Sequence, residues 1–382
     1  MNVFFRALPY FLVSFFLALI ITPVAKRVGF FLKIYAIENK RTVHHGRIVR
    51  IGGLAIFLAY ILSMAAFMKA DSTLNAIMIG SLIIFLGGFI DDMFDLRPIV
   101  KLGFEIVAAL YVIFFGGIEL GNLTFGILTI KSPIVSFVIS FFWIVGVSNA
   151  VNLMDGLDGL AAGNSLIMIG VIGVISYFMN RIDISIMCLI LAGSIAGFLP
   201  YNFHPASVFM GDCGALFLGF TIACYSLLGF KTTAFITLGF PIIILFVPLS
   251  DTTLAIIRRK ASGHRISEAD RSHLHHVLMY KIGLSHRNTV LLLYLVCALF
   301  GLDAVLMYFH PFWAWIMLFV LCMVAWIFIE LTGMINPNFH PIIGLLRRTI
   351  GYPRKSENAF FEANKLVHAT ADPPKREEEN ES

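Results

Sequence analysis

The sequence has 382 residues, of which 59% are hydrophobic and 13% are charged, and its formal net charge is +5. Soluble domains are roughly 45–50% apolar and about 25% charged, so the composition excludes an ordinary soluble globular protein. The five cysteines form no CxxC pair, which argues against a disulfide framework or a cysteine-based zinc site. The fold class that remains is an all-α, polytopic integral membrane protein.

Apolar runs along the chain predict about eleven transmembrane helices, because one span needs about 20 mostly apolar residues. The first run lacks the basic start and the small-residue cleavage site of a signal peptide, so we interpret it as a span. In chain order the predicted spans are 4–24, 50–68, 74–90, 102–118, 133–151, 161–179, 184–201, 213–230, 234–256, 289–308 and 312–332.

Lysine and arginine predict the orientation of these spans. An outside N-terminus and a cytoplasmic C-terminus place 23 of the 28 basic residues on the inner side. On this topology residues 1–335 form the transmembrane domain, a cytoplasmic juxtamembrane segment covers 336–352, and the Pro-rich, acidic tail 353–382 is predicted to be disordered. The expected cytoplasmic loops are 25–49, 91–101, 152–160, 202–212 and 257–288.

Four polar clusters follow different predicted spans, and all four fall on the predicted cytoplasmic side. They are GFIDDMFDLRPIVK with Asp91, Asp92 and Lys101; SNAVNLMDGLDGLAAG with Asn149, Asn152, Asp155 and Asp158; PYNFHPASVFMGDCGA with Asn202, Phe209 and Asp212; and DRSHLHHVLM with Arg271, His273, His275 and His276. Each cluster alone is compatible with a solvated turn, a helix cap or a surface loop. Carboxylates at bilayer depth are costly and usually functional, so the convergence of the clusters predicts one site.

The side chains of these clusters favour a particular chemistry. Carboxylate and amide oxygens suit Mg²⁺ or Mn²⁺ better than zinc or copper. Lys101, Arg271 and the histidines supply positive charge or donors for phosphate oxygens. The pattern therefore indicates metal-dependent phosphoryl transfer from a nucleotide-linked donor to a lipid acceptor, with no nucleic-acid partner. A secondary transporter is less well supported, because transporters usually keep such residues near the bilayer midplane.

At these clusters the sequence resembles the polyprenyl-phosphate N-acetylhexosamine-1-phosphate transferases (glycosyltransferase family 4), over roughly residues 20–335. GFIDDMFDL matches the family's DDxxD block, NAVNLMDGLDGLA its N-x-x-N-x-x-D-G-x-D-G-L block, and NFHPASVFMGDCGALFLG its F-M-G-D-x-G block. The first cytoplasmic loop keeps the family's Arg50, Gly52 and Gly53, although it has Val49 where proline is common.

Within this family, DRSHLHHVLM looks like the branch that transfers GlcNAc-1-phosphate. That branch implies transfer from UDP-GlcNAc to undecaprenyl phosphate, giving undecaprenyl-pyrophosphoryl-GlcNAc and UMP. The implied setting is the cytoplasmic face of a bacterial inner membrane, at the first membrane step of O-antigen, common-antigen or teichoic-acid linkage synthesis. The alternative is a phospho-MurNAc-pentapeptide transferase, whose loop typically has three consecutive histidines before an aromatic–acid pair. The resemblance also implies a homodimer.

The resemblance further implies roles for the acidic residues. Asp212 and Asn152 are the expected ligands of Mg²⁺, which Mn²⁺ can replace, and Asp155 is a further candidate. Asp91 is expected to orient or deprotonate the lipid phosphate, while Asp92 supports the metal shell. We expect a single displacement rather than a covalent aspartyl intermediate, because a phosphate monoester with a second pKa of about 6 is already a nucleophile at neutral pH.

For the donor nucleotide, the resemblance implies that Phe209 stacks on uracil, with Asn202 and Asp158 at the edge of the base. Lys101 is expected to reach the pyrophosphate. The remaining predicted substrate-binding residues are Asn149, Arg271, His273, His275 and His276. A metal-binding role is the alternative for the histidines.

Overall fold

The computed structural model describes residues 3–36, 47–121, 123–125, 128–130, 132–230, 239–261 and 273–334. The helices are α1 (Val3–Phe31), α2 (Gly53–Phe67), α3 (Ser72–Phe94), α4 (Pro98–Gly116), α5 (Pro133–Met154), α6 (Leu160–Phe178), α7 (Ile182–Asn202), α8 (Gly211–Phe230), α9 (Gly239–Ile244), α10 (Phe246–Ala261), α11 (Leu274–His276), α12 (His286–Phe309) and α13 (Pro311–Thr332). A π-helical turn, Val277–Lys281, follows α11. Two short antiparallel pairs join β1 (Tyr35–Ala36) to β2 (Ile48–Val49) and β3 (Leu123–Phe125) to β4 (Leu128–Ile130).

Nine helices within the described ranges are long and apolar enough to cross a membrane, which confirms the all-α polytopic class. The predicted span at 50–68 is a helix of only 15 residues, α2. At about 1.5 Å per residue such a helix is shorter than the roughly 30 Å hydrocarbon core. The count of about eleven spans and the sides of the termini stay predictions.

The predicted span at 234–256 is not one continuous helix where the structure describes it. Helix α9 ends at Ile244, and α10 begins at Phe246. Proline has no backbone N–H, and its ring collides with the carbonyl group four residues earlier. Pro248 has that relation to Ile244, which explains the break at Leu245.

The chain divides into two compact units. The first unit comprises Met1–Thr253 and His286–Val320, and the second comprises Leu254–Ser285 and Leu321–Ser382. In the second unit, the Arg258 guanidinium donates a hydrogen bond to the carbonyl of Met334, and the Lys281 ammonium donates one to the carbonyl of Thr332.

Helix α8 forms the centre of the first unit, and every residue from Cys213 to Phe230 is buried. A helix that is apolar on all sides lies either in a protein core or in lipid, and α8 lies in the core. Helices α2, α3, α5 and α6 pack around α8. Glycines allow close approach: a Cβ atom on Gly53 would lie 2.3 Å from Gly214 Cα, and one on Gly88 would lie 2.6 Å from Cys213 Cα.

The packing brings several helix ends together on one side of this unit. Helix α3 ends there, with Asp95 in the left-handed region at φ 47°, and α5 ends beside it at Met154. Helix α8 begins at the same place with Gly211 at φ 75°. Two of the four predicted polar clusters lie at the ends of α3 and α5, and a third leads into the start of α8, so the packing of these helices brings the three clusters close.

Candidate active site

Asp92, in the last turn of α3, holds the first turn of α8. Its Oδ1 accepts a hydrogen bond from the backbone N–H of Asp212 and its Oδ2 accepts one from Cys213, each 3.0 Å long. The first N–H groups of a helix have no partner within the helix, and a carboxylate complements their partial positive charge. The Arg50 guanidinium lies 3.7 Å from Asp92 Oδ1. Asp92 therefore positions the backbone that carries Asp212.

Lys101, in the first turn of α4, joins the predicted DDxxD and F-M-G-D blocks. Its ammonium nitrogen lies 2.7 Å from Asp91 Oδ2 and also contacts Asp212 Oδ2. The other Asp91 oxygen, Oδ1, accepts a 2.8 Å hydrogen bond from the backbone N–H of Leu96. Lys101, Asp91 and Asp212 thus form one charged cluster, as expected for residues that share a site.

The segment before α2, which carries Val49 and Gly52, contacts the segment that carries Phe209. The carbonyl of Phe209 accepts a 2.9 Å hydrogen bond from the N–H of Gly52, and its N–H donates a 2.8 Å bond to the carbonyl of Val49. Val49 contributes a backbone carbonyl, which every residue has, so the departure from proline preserves this contact. Phe209 itself is half-buried. Its stacking on uracil stays a prediction.

Asn152 lies in the last turn of α5, and Asp155 follows as the residue after the helix. Both side chains are half-buried. Burial and the nearby carboxylates of Asp212, Asp92 and Asp158 raise the pKa of Asp155 to about 8. A carboxyl with this pKa binds a cation or a proton, and Asp155 lies near enough to Asp212 and Asp92 for their charges to affect it.

Asp158 and Asn202 hold two loops of the site together. Asn202 is buried; its Oδ1 accepts a 3.1 Å hydrogen bond from the N–H of Gly159, and its amide donates a 3.0 Å bond to the carbonyl of Val208. Asp158 Oδ2 accepts a 3.1 Å bond from the N–H of Ala206. Both residues therefore shape the predicted uracil pocket, and their direct contact with the base stays a prediction.

Two histidines, His204 and His286, lie close to Asp158. The Nδ1 atom of His204 lies 2.9 Å from Asp158 Oδ2, and the His204 and His286 rings stack with centroids 4.1 Å apart and planes at 20°. Potential ligand atoms of the three residues lie within 4.8 Å of one another. The nitrogen lone pairs lie in the nearly parallel ring planes, so this arrangement fits a stacked pair better than ligands that converge on one ion. We predicted no role for His286. The sequence feature that could have indicated one is the motif SHR directly before an apolar run.

Glu105 is a further site residue that the motifs do not contain. It lies one turn after Lys101 in α4, only 2% of it is exposed, and its Oε2 accepts a hydrogen bond from the amide of Asn149. The signal in the sequence is a single acid inside the apolar run KLGFEIVAAL.

The predicted histidine cluster belongs to the second compact unit. The rings of His275 and His276 lie 4.3 Å apart, and those of His273 and His275 lie 5.9 Å apart. Arg271 lies outside the described residues. The predicted contacts of these residues with phosphate or sugar stay predictions.

The donor set of the first unit fits a hard divalent cation. Asp91, Asp212, Asp155 and Asn152 offer carboxylate and amide oxygens, which Mg²⁺ and Mn²⁺ prefer. The Lys101 ammonium already lies between Asp91 and Asp212, so this pair attracts positive charge.

The similarity to known proteins covers the helices that carry these residues. A family model described as glycosyl transferase family 4 matches residues 74–230, which run from α3 to α8. The probable undecaprenyl-phosphate N-acetylglucosaminyl 1-phosphate transferase of Bacillus subtilis (strain 168) is 38% identical, over 90% of this chain and 97% of its own length. The decaprenyl-phosphate N-acetylglucosaminephosphotransferase of Mycobacterium leprae (strain TN) is 33% identical, over 73% of this chain and 78% of its own. The phospho-N-acetylmuramoyl-pentapeptide-transferase of Staphylococcus saprophyticus is 31% identical, over 72% of this chain and 91% of its own.

Proposed function

The chain belongs to glycosyl transferase family 4, and from this premise we propose that it transfers GlcNAc-1-phosphate from UDP-GlcNAc to undecaprenyl phosphate. The products are undecaprenyl-pyrophosphoryl-GlcNAc and UMP. The observation that carries the proposal is the cluster of Asp91, Asp212 and Lys101, with Asp92 fixing the start of α8. The similarity to the GlcNAc-1-phosphate transferase of Bacillus subtilis supports the choice of donor and acceptor.

The reaction joins two anions, so charge neutralisation and positioning dominate its catalysis. An oxygen of the lipid phosphate attacks the β-phosphorus of the donor, and the bond from that phosphorus to the bridging oxygen breaks. UMP leaves with the bonding electron pair. The reaction needs no nucleophile from the enzyme, because the acceptor phosphate, with a second pKa of about 6, is largely dianionic at neutral pH and attacks directly. A single displacement is therefore sufficient.

The residues divide this work among them. Asp212 and Asn152 would hold Mg²⁺, which when bound would neutralise the pyrophosphate and the leaving UMP. Lys101, kept near by Asp91 and Asp212, donates hydrogen bonds to pyrophosphate oxygens. Asp91, with one oxygen fixed by Leu96, uses the other to orient the lipid phosphate and to accept its remaining proton.

A transferase with UDP-MurNAc-pentapeptide as donor is the second candidate, because the Staphylococcus relative carries that name. The loop DRSHLHHVLM favours the GlcNAc branch over it. We place the reaction on the cytoplasmic face of the bacterial inner membrane, as the first membrane step of a cell-envelope polysaccharide. A homodimer is the expected assembly.

The test uses membranes that contain the protein, radiolabelled UDP-GlcNAc and undecaprenyl phosphate. We expect labelled lipid to form, to disappear with EDTA and to return with added Mg²⁺, and unlabelled UDP-MurNAc-pentapeptide to compete poorly. Asp212→Asn should lower transfer by about 100-fold or more, as loss of a key electrostatic group does. The matched control is Asp183→Asn, an exposed aspartate at the start of α7, which should transfer normally. Labelled lipid that survives EDTA would contradict the proposal.

A further inference from the structure

Buried Glu105 on α4 and half-buried Asn149 on α5 form a polar pair between the two helices. Glu105 is 2% exposed, and a buried carboxylate is costly unless its oxygens have donors. Asn149 supplies such a donor through its Nδ2 atom. The pair lies one helical turn deeper than the residues with assigned roles, because Glu105 follows Lys101 by four positions and Asn149 precedes Asn152 by three.

The partners of Asn149 determine which atom it can offer to a ligand. Its Nδ2 donates to Glu105 Oε2 and also, over 3.0 Å, to the carbonyl of Val145. A carboxylate and a carbonyl are both acceptors, so chemistry fixes the amide with its nitrogen toward them. Both amide hydrogens are then in use. The group that Asn149 has left is its carbonyl oxygen Oδ1, a hard oxygen with no positive hydrogen beside it.

Glu105 also lies close to the charged residues of the site. The Lys101 ammonium and the Asp212 carboxylate, which contact each other, are both near enough to act electrostatically on Glu105. Asn149 and Asn152 share one face of the last turns of α5. A cation held by Asn152 and Asp212 would lie beside the face of α5 that carries Asn149, and a water of its hydration shell would be the link to Asn149 Oδ1, since Mg²⁺ usually keeps several waters.

We infer that Glu105 is a positioning residue for divalent-cation binding: it turns Asn149 so that only the carbonyl oxygen Oδ1 faces the hydrated cation. The inference rests on the proposed function for the location of the cation. Partners that orient metal ligands or bound waters typically contribute 10- to 100-fold to metal affinity. Glu105 contributes to cation binding through the length of its side chain and its acceptor oxygen, and its charge is secondary.

Two conservative variants separate reach from charge. Glu105→Asp keeps the charge but is one methylene shorter, so it cannot reach the Asn149 amide. Glu105→Gln keeps the length and a carbonyl acceptor but loses the charge. The measurement is a titration of the purified, detergent-solubilised full chain with Mn²⁺, read by electron paramagnetic resonance. We expect Glu105→Asp to bind Mn²⁺ about tenfold more weakly and Glu105→Gln to bind within about threefold of the unmodified chain.

Transfer assays and melting temperatures complete the test. Glu105→Asp should need about tenfold more Mg²⁺ but regain the unmodified kcat at saturating Mg²⁺, with its KM for UDP-GlcNAc unchanged. Glu119→Asp, beyond the other end of α4, is the matched control for a shortened acid. It should change neither the Mg²⁺ requirement nor the kcat.

The outcomes distinguish this inference from the proposed function. Equal Mn²⁺ affinity of Glu105→Asp and the unmodified chain would overturn the inference, and so would equal losses in Glu105→Asp and Glu105→Gln. A fall in melting temperature with unchanged Mn²⁺ affinity would reduce Glu105 to a packing role and overturn it as well. If the unmodified chain made no labelled lipid, the proposed function would fail while the Mn²⁺ comparison still decided the role of Glu105.

Discussion

Asp92 and Asp91 are neighbours in the sequence, but their side chains make different contacts. Asp91 pairs with the ammonium of Lys101, whereas both oxygens of Asp92 accept backbone N–H groups at the start of α8. Adjacent residues in a helix point about 100° apart, so a DD pair naturally serves two partners. The first aspartate thus faces the site, and the second fixes the helix that delivers Asp212.

Asp92→Ala should therefore lower transfer through displacement of Asp212. We expect about 1 kcal/mol of lost stability, the usual effect of removing a helix cap. Asp92→Asn keeps one acceptor oxygen, so it should lose less transfer activity and less stability than Asp92→Ala. Melting temperature and transfer rate for the two variants check this order, and an Asp92→Asn variant as inactive as Asp92→Ala would point to a direct role of the charge.

The acidity of Asp155 predicts a pH dependence of cation binding. Its pKa of about 8 means that the side chain is mostly protonated at pH 7 and anionic above pH 8. A cation that binds beside it must displace this proton, so affinity should rise from pH 6 to about pH 8 and then level off. Mn²⁺ titrations across this range measure the slope, and Asp155→Asn should flatten it. A slope that persists in Asp155→Asn would assign the proton to another group.

At the scale of helices, the close backbone packing just before α8 requires a glycine. Gly211 has φ 75°, and a Cβ atom there would lie 1.8 Å from the carbonyl oxygen of Arg50 and 2.6 Å from Asp92 Oδ2. Side chains in the left-handed region cost about 1–2 kcal/mol, and the contact with a carbonyl oxygen adds to that cost. The glycine is therefore required by geometry at the point where the first loop, α3 and α8 meet.

Gly211→Ala should destabilise the protein by at least about 2 kcal/mol and abolish transfer. Gly170→Ala in α6 is the matched control, because a Cβ atom there would meet nothing within 4 Å. Alanine in that exposed helix position should be neutral or stabilising by up to about 1 kcal/mol. Melting curves of the two variants make the comparison. Similar melting temperatures would contradict the described geometry of Gly211.

The sequence predicted helices better than it predicted their ends and contacts. Hydropathy located the long helices because lipid requires long apolar runs. It missed the break at Leu245, which depends on Pro248 and its relation to Ile244. The cap that Asp92 provides to α8 and the pair formed by Glu105 and Asn149 were not predictable, because each joins residues that are far apart in sequence and meet only after the helices pack.

At the scale of the whole molecule, the positive-inside distribution predicts that the polar helix ends face the cytoplasm. Single-cysteine variants test this on a Cys322→Ser background, since the other four cysteines are buried. Asp95→Cys, beside the site, should react with an impermeant maleimide only when the cytoplasmic face is accessible. Asp183→Cys, at the opposite end of α7 from Asn202, should react only from outside. Labelling of the two variants from the same face would overturn the orientation.

The contact of Lys101 with Asp91 and Asp212 has a consequence for the order of events. Asp212 is the one carboxylate that the ammonium shares with the proposed cation site, so a bound cation would weaken that contact, and the ammonium, still paired with Asp91, would turn toward the nearest anion, the donor pyrophosphate. Lys101 would then act as an internal counterion, and Asp212 would have a positive partner both before and after the cation binds. We expect this exchange to favour cation and donor entering as one complex.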